Sequence, residues 1–471
     1  YSEDRLQTPL VRIDGEWQAV DWETGLQAAV DGLRGVIDAH GADQVGVLVS
    51  PSATLEEMSL LQGLARGIGV NNIDHRLRQV DYSDQDKAPL CPSLGQTVAA
   101  LESVNAALLI GANPRKDQPI IGHRLRKAAI AGAQLMVVNP VDYEFMFDLH
   151  ARSIVPPSRL ADTLAAVAAC FPDAGRGATD AVKTAIAAAK PDDAQRRMAA
   201  ALTEADAATV LLGNAALAHP QYSMLKALAG IIATASGATL GVLTDGGNNA
   251  GGWLAGVLPH RGPAGSSVST AGLDAQAMLN APRKGYLLFA VEPEYDCADA
   301  AAAAAAMKAA EVVVCMTPWA SDSMKACADV MLPIGPFTET SGTCVNTEGR
   351  WQSFTGVASP VGDSRPGWKV LRVLGNQFGL DGFGQHSSEE IRDELREQAG
   401  TVSLDNHQAA GAVAGAKTVP GLQRIGDTAI LSVDSLLRRA ASLQATPDAE
   451  AAAHCRINAA QAASSGVQEG D

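Results

Sequence analysis

Residues 71–83, NNIDHRLRQVDYS, bring a histidine, two arginines, two aspartates and a tyrosine together between two apolar segments. Imidazole nitrogen and carboxylate oxygen are metal donors, and guanidinium groups hold anions, so these are the residue types of a metal or cofactor site. The spacing alone does not make one. On a helix His75 and Asp81 would lie about 120° apart, and on a strand roughly 20 Å apart. Either groups from elsewhere complete the site, or the stretch is a polar loop.

Three other stretches carry residues of chemical interest. GANPRKDQP (111–119) and VNPVDYEF (138–145) follow apolar runs, where the loops of a doubly wound sheet meet ligands. Asn113 there is a candidate hydrogen-bonding residue, although Asn-Pro is also an ordinary turn start. TDGGNNAGGW (244–253) has neither the GxGxxG dinucleotide pattern nor the GxxxxGK[ST] of a P-loop. Its Asp245-Gly246 and Asn248-Asn249 share residue types with a thiamine diphosphate signature, but that family separates the two pairs by a long spacer. A Gly-rich strand-to-helix turn is the simpler reading. ADVMLPIGPFTETSGTCVNTEGRWQSF (328–354) reads as a strand followed by a hairpin that carries Glu339, Asn346, Glu348 and Arg350.

Composition narrows the partners. The chain has 471 residues, 36 Lys and Arg against 52 Asp and Glu, and a net charge of -16, so its field repels a nucleic-acid backbone. Aromatic residues make up 4%, too few for base-stacking platforms. No run approaches the roughly 20 apolar residues of a membrane helix, which argues against direct membrane insertion. The seven cysteines (91, 170, 297, 315, 327, 344 and 455) include no CxxC pair, so they predict reduced thiols rather than a disulfide framework or a self-contained cluster site. YSEDRLQTPL at one end and SSGVQEGD at the other read as cuts, which implies a piece of a longer polypeptide.

The elements that must position these residues alternate. LVRIDGEWQAV predicts a hairpin around Asp14-Gly15, and Asp21 is placed to cap a helix reaching His40. QVGVLV (44–49), AALLIG (106–111) and QLMVV (134–138) predict buried parallel strands, separated by helices at 54–68 and 119–131. ATVLLG (208–213), ATLGVL (238–243), GYLLFAV (285–291) and EVVVCM (311–316) form a second set. Two units echo each other: Pro114 to Pro140 spans 26 residues and Pro293 to Pro318 spans 25. Together these predict an α/β fold of two related, doubly wound α-β-α domains with mostly parallel sheets. The expected divisions are an N-terminal hairpin and helix (1–43), a first α/β domain (44–172), a helical linker (173–206) and a second α/β domain (207–335). A hairpin and returning helices (336–400) and a last region (401–471) follow.

The stretch at 328–354 resembles the molybdopterin oxidoreductase family, whose members carry an ADVVLP strand and an E..GT..N.EGR.Q loop. SEDRLQTPLVRIDGEWQAVDWETGL and LESVNAALLIGANPRKDQPIIGHRLRKAAIAGAQLMVVNP agree with it. Within that family, NNIDHRLRQVDYS and GGNNAGGWLAGVLPHRG resemble the large iron–sulfur subunit of respiratory NADH:quinone oxidoreductase, complex I. CRINAAQAASSGVQEGD resembles the opening of the family's C-terminal β-barrel, expected here as a partial segment.

The resemblance implies where the chemistry would sit. In catalytic relatives the residue just after the counterpart of Arg78 ligates molybdenum, and the position here falls near Val80, whose side chain has no lone pair. Asp81 is one step away. At 139–141 many relatives have Asp-Pro-Arg against the guanine nucleotide of the cofactor, where this chain has Asn139-Pro140-Val141. These departures imply a vestigial pocket with molybdopterin lost and no metal bound, ringed by Gly111, Asn113, Asn139, Asn346, Glu348 and Arg350. Arg350 has a fork suited to phosphate, or pairs with a glutamate to brace the hairpin. No residue is assigned a catalytic role.

On this resemblance the chain is a scaffold within complex I, supporting electron transfer from NADH to quinone. Its partners are its own N-terminal iron–sulfur cluster-bearing domain and other peripheral-arm subunits, and its location is peripheral, on the cytoplasmic side of the inner membrane. The competing expectation is a working molybdenum or tungsten bis-pterin enzyme, formate dehydrogenase-like, that uses Asp81 or an unusual ligand.

Overall fold

The computed structural model describes residues 2–415, 421–426 and 428–470. Its first strands, β1 (Leu10–Ile13) and β2 (Glu16–Ala19), form the expected hairpin. Asp14 and Gly15 both take positive φ, 52° and 85°, as a two-residue turn matched to strand twist requires. Helix Trp22–His40 follows, with Asp21 accepting the Thr24 N–H at its start. Strand β3 (Val45–Val49) leads to helix Leu55–Gly67, which opens with a Thr54/Glu57 capping box, and then to the short β4 (Ile73–Asp74).

The chain then builds a second sheet from β5 (Ala106–Ile110), β6 (Gln134–Asn139), β7 (Ala151–Ile154), β8 (Ala208–Leu212) and β9 (Thr239–Val242). It returns to the first sheet with β10 (Gly285–Phe289), β11 (Val312–Thr317) and β12 (Val330–Pro333), and ends its strands in the hairpin β13 (Gly342–Val345) and β14 (Trp351–Phe354). The first sheet runs β2-β1-β12-β11-β10-β3-β4 and the second β7-β6-β5-β8-β9. Apart from the pairings of β1, all their ladders are parallel. The strands β3, β5, β8 and β10 are buried throughout, which is why they read as apolar runs without alternation.

The α/β class and the two doubly wound sheets follow the sequence reading, but the domain boundaries need correction. The second sheet is an insertion: β10 pairs with β3 in register Gly285↔Val45, so residues from both ends of the chain share one sheet. The expected units 44–172 and 207–335 therefore each contribute strands to both sheets. Each echoing β-α-β unit does fall in its own sheet, β5-β6 in one and β10-β11 in the other. The 173–206 linker is helical at Asp180–Ala188 and Asp193–Glu204, and the segment 336–400 returns helix Gly367–Gln377 onto helix Leu55–Gly67.

The expected barrel opening at 401–471 takes no strand form among the described residues; 416–420, 427 and 471 lie outside them. NHQAAGAVAGA has a single β-branched residue and no aromatic, so little in it favours a pleated surface. Instead this segment runs along the body. Asn406 donates to the Ser93 and Leu240 carbonyls and accepts from the Ser93 N–H, while the Ala414 N–H donates to Ser223 Oγ.

Candidate functional site

A cavity of about 480 Å³ lies beyond the C-terminal ends of strands from both sheets. Pro51 beyond β3, residues 75–79 beyond β4, and Leu212, Val242, Thr244 and Asp245 around the ends of β8 and β9 contribute to it. Residues 406–413 form part of its wall. The arrangement matches the rule that open parallel sheets bind ligands outside their carboxyl ends.

Residues 75–79 of the stretch 71–83 line this cavity, and the charged groups of the stretch are held in ion pairs and hydrogen bonds. Asp74 and Arg76 form a buried bidentate pair, Asp74 Oδ1 with Arg76 Nε at 2.8 Å and Oδ2 with Nη2 at 2.7 Å. Burial raises the Asp74 carboxyl, but the Arg76 charge, its hydrogen bonds and the neighbouring His75 together outweigh it, and the carboxyl ends below its ordinary range. Arg78 donates to both oxygens of Asp245, to Asp296 at 3.4 Å and to the Val433 carbonyl at 2.9 Å. Lys226 pairs with Asp84 at 2.8 Å. His75 meets the Val257 carbonyl through Nδ1 at 2.8 Å, and its ring lies against Gly252, where a Cβ would approach it to 2.7 Å. Burial pulls the imidazole down to about 4, so it is neutral near pH 7.

Asp81 is equally committed. Its Oδ1 accepts from the Ser83 N–H and Oγ, and its Oδ2 accepts from the Ser223 N–H and Oγ, all at 2.6 to 3.0 Å. Burial raises this carboxyl, and the four hydrogen bonds more than reverse that.

The six residues expected around a pocket fall elsewhere, in two clusters. Gly111, Asn113 and Asn139 sit at the ends of β5 and β6. Asn139 bridges the loops, accepting from the Ala112 N–H and donating to the Ala112 carbonyl. Here the switch-point crevice between β5 and β8 is shut: a Cβ on Gly111 would lie 2.5 Å from Ala216 N, and one on Gly213 2.4 Å from Ala112 Cβ. Asn113 is buried, and its Oδ1 has no hydrogen-bond partner among the described residues.

Asn346, Glu348 and Arg350 form the turn of the β13–β14 hairpin. Asn346 Oδ1 accepts the Glu348 and Arg350 N–H groups, Glu348 accepts the Val98 N–H, and Arg350 pairs with Glu348 at 3.3 Å. Arg350 pairs with a glutamate of its own turn, with its side chain 68% exposed. None of the six lines the cavity.

Sequence reasoning missed Trp253, Tyr222, Lys226 and the wall at 406–413. It also missed a clasp from the C-terminal segment. Arg438 reaches Glu292 at 2.7 Å and Asp296 at 3.1 Å, and Arg439 reaches Glu292 and Asp4, each at 2.5 Å. The Arg-Arg doublet was visible, but nothing local in sequence points to carboxylates more than 140 residues away.

A family model described as "Molybdopterin oxidoreductase" matches residues 5–377. A protein of Staphylococcus aureus (strain USA300) named "Putative formate dehydrogenase" is 25% identical over 465 residues, covering 84% of this chain and 45% of its own length. Its counterpart in strain MRSA252 is 24% identical with the same coverage. The chain thus spans less than half of these relatives, whose names are those of formate dehydrogenases rather than of a complex I subunit. Among solved structures, acetylene hydratase from Pelobacter acetylenicus superposes with a TM-score of 0.61 at 15% identity, over 85% of this chain and 65% of that one. A chain of the formyltransferase/hydrolase complex FhcABCD from Methylorubrum extorquens superposes with a TM-score of 0.53 at 15% identity, over 83% of this chain and 99% of that one. These two likenesses concern the fold. No helix of the described residues is long and apolar enough to cross a membrane.

Proposed function

Since this chain belongs to the molybdopterin oxidoreductase family, we propose that it is a structural member of that family, serving a larger oxidoreductase without itself holding the metal. The observation that carries this is the donor set at the position where the family holds molybdenum. Val80 offers no lone pair, and both oxygens of Asp81 are engaged by Ser83 and Ser223. Of the basic residues lining the cavity, Arg76, Arg78 and Lys226 each have a carboxylate partner, and the exposed Arg176 is the one cation there without an acid partner among the described residues. The residues present do not fit the group.

The assembly this scaffold serves is read from motif likeness. NNIDHRLRQVDYS and GGNNAGGWLAGVLPHRG speak for the large subunit of complex I, with its own cluster-bearing domain and peripheral-arm subunits as partners. The names of the staphylococcal relatives favour a second reading, a formate dehydrogenase-like enzyme that binds a molybdenum or tungsten bis-pterin cofactor. That reading requires Asp81 to give up Ser223 or Ser83, or an unusual ligand to replace it.

Elemental analysis separates the two readings. After expression in a host that makes the pterin cofactor, a scaffold contains molybdenum and tungsten only at trace levels. Stoichiometric metal, with formate oxidation by an artificial acceptor, overturns the scaffold reading. Capture from a native extract then identifies the assembly: co-recovered NADH dehydrogenase subunits support complex I, and their absence removes it.

A further inference from the structure

Residues 430–445 lie across the carboxyl edge of the first sheet. Beyond β11, Arg439 stacks on Trp319 at 5.0 Å and reaches over to Glu292. Beyond β10, Arg438 reaches Glu292 and Asp296 and stacks on Tyr295 at 5.0 Å. At the other end the Val433 carbonyl accepts from Arg78, beyond β4. The chain continues from β10 to β11 on one side and from β3 to β4 on the other, so the strand order switches between β10 and β3. Such a point is the ligand crevice of an open parallel sheet, and here a piece of the same chain covers it.

The covering piece is held by charge rather than by a core. No described residue of 428–470 is buried, and none belongs to the four hydrophobic clusters that build the body. Its own hydrogen bonds shape it beforehand. Asp434 accepts the Leu436 and Leu437 N–H groups, and Gln444 donates to the Leu431 and Leu437 carbonyls. Each arginine also donates within the piece, Arg438 to the Ser432 carbonyl and Arg439 to that of Ser435. A preformed unit that adds nothing to the core can open locally while the sheets stay folded.

What it covers is acidic. Both Glu292 oxygens are held by Arg438 and Arg439 and by no other side chain among the described residues, and Glu292 is 2% exposed. With the two arginines withdrawn, Asp4, Glu292 and Asp296 would face Arg78, which also serves Asp245. Arg5, whose guanidinium also lies over Trp319, is committed to Glu339. Buried carboxylates without a counter-charge are costly, so the open crevice calls for guanidinium groups to refill it. A carboxylate beside an aromatic face, offered twice, suits planar cations of that kind.

We propose that residues 430–445 are a releasable strap, an internal ligand that closes an arginine-binding crevice at the switch point between β10 and β3. Once released, the crevice takes an arginine-bearing peptide in the place of the strap. This goes beyond the scaffold reading, and since no metal donor takes part, the two stand or fall separately.

A fluorescent peptide with the sequence of residues 430–445, titrated into the full chain and followed by anisotropy, tests it. The attached strap competes at a high effective concentration. The Arg438→Ala/Arg439→Ala chain is therefore expected to bind the peptide saturably, at least roughly tenfold more tightly than the unaltered chain does. A peptide with alanine at both arginine positions is expected to lose at least roughly tenfold on that variant. No saturable binding to the variant, equal affinity of the two chains, or equal affinity of the two peptides overturns the proposal. Should the variant fail to fold, hydrogen exchange of the unaltered chain decides. Amides at 436–444 and at 292–297 are expected to share one protection factor, at least roughly tenfold below that of β10, because strap and crevice open together. Unequal protection of the two segments, or a strap that opens only with β10, overturns it.

Discussion

Two stretches carry the strongest family motifs, 71–83 and the hairpin turn at 346–350, and both contain an arginine beside a carboxylate. In the first, the Arg76 and Asp74 side chains are 3% and 0% exposed; in the second, the Arg350 side chain is 68% exposed and Glu348 10%. An arginine–carboxylate pair therefore does different work in the two places. A buried pair is an obligation, because either member alone would be an uncompensated charge in an apolar surrounding. A surface pair is screened by water and holds a turn only lightly. Motif strength in the sequence is similar for the two, and depth separates them.

The sharpest way to break that comparison is to remove one buried partner. Asp74→Ala strands the Arg76 guanidinium and frees the Ala275 N–H that Asp74 also accepts. A loss of about 3–5 kcal/mol in urea unfolding is expected. The double variant Asp74→Ala/Arg76→Met is expected to recover a large part of it, since a packed apolar side chain replaces the stranded charge. Equal losses for the single and double variants would mean that the pair is not what holds this floor.

A second test reaches the inner end of the hairpin, where β13 is tied to helix Leu55–Gly67. Glu56 accepts the Thr343 N–H at 2.8 Å and the Thr343 hydroxyl at 2.6 Å, and the neighbouring Glu57 is fully buried, capping through the Thr54 N–H at 2.9 Å. Burial, with the Glu56 charge adding to it, pushes the Glu57 carboxyl up to about 7. A folded-state value above the unfolded one gives stability that is complete below about pH 4.5 and lost as pH rises through about 7. Over that window the change is ~3 kcal/mol. Subtracting the Glu57→Gln profile from the unaltered one is expected to isolate this slope, and parallel profiles would exclude Glu57 as its source.

A smaller effect is expected at Gly252, which lets the His75 ring lie flat on helix Asn249–Ala255. Gly252→Ala would gain helix propensity yet press its Cβ into the imidazole, for a net loss of about 1–2 kcal/mol. In a His75→Ala background the penalty is expected to disappear, which thermal unfolding of the four proteins would show.

What the sequence made legible follows the range over which each signal acts. The helix cap at Asp21, the Asp14-Gly15 turn and the apolar runs of β3, β5, β8 and β10 are local, and they stand where expected. Strand pairing is not local. When both faces of a strand are buried, no alternation marks its neighbour, so β10 could not be assigned to β3 rather than to β9. The cavity suffers from the same limit. Trp253, Lys226 and the wall at 406–413 reach it only through the fold, while Gly111 and Asn139, placed at a switch point in sequence, occupy one that close glycine packing has shut.

The least disruptive change is expected where the family motif is strongest. Arg350→Ala removes only the 3.3 Å pair with Glu348, whose carboxylate keeps the Val98 N–H, while the Asn346 side chain keeps the turn itself. Mostly exposed, the pair is worth at most about 0.5–1 kcal/mol, and half-molar salt is expected to erase the difference between Arg350→Ala and the unaltered chain. A loss of several kcal/mol that persists in salt would show that Arg350 meets something more than Glu348. The residue would then rank with Arg76 as a charge held in place, and the distinction drawn from depth would fail at its shallow end.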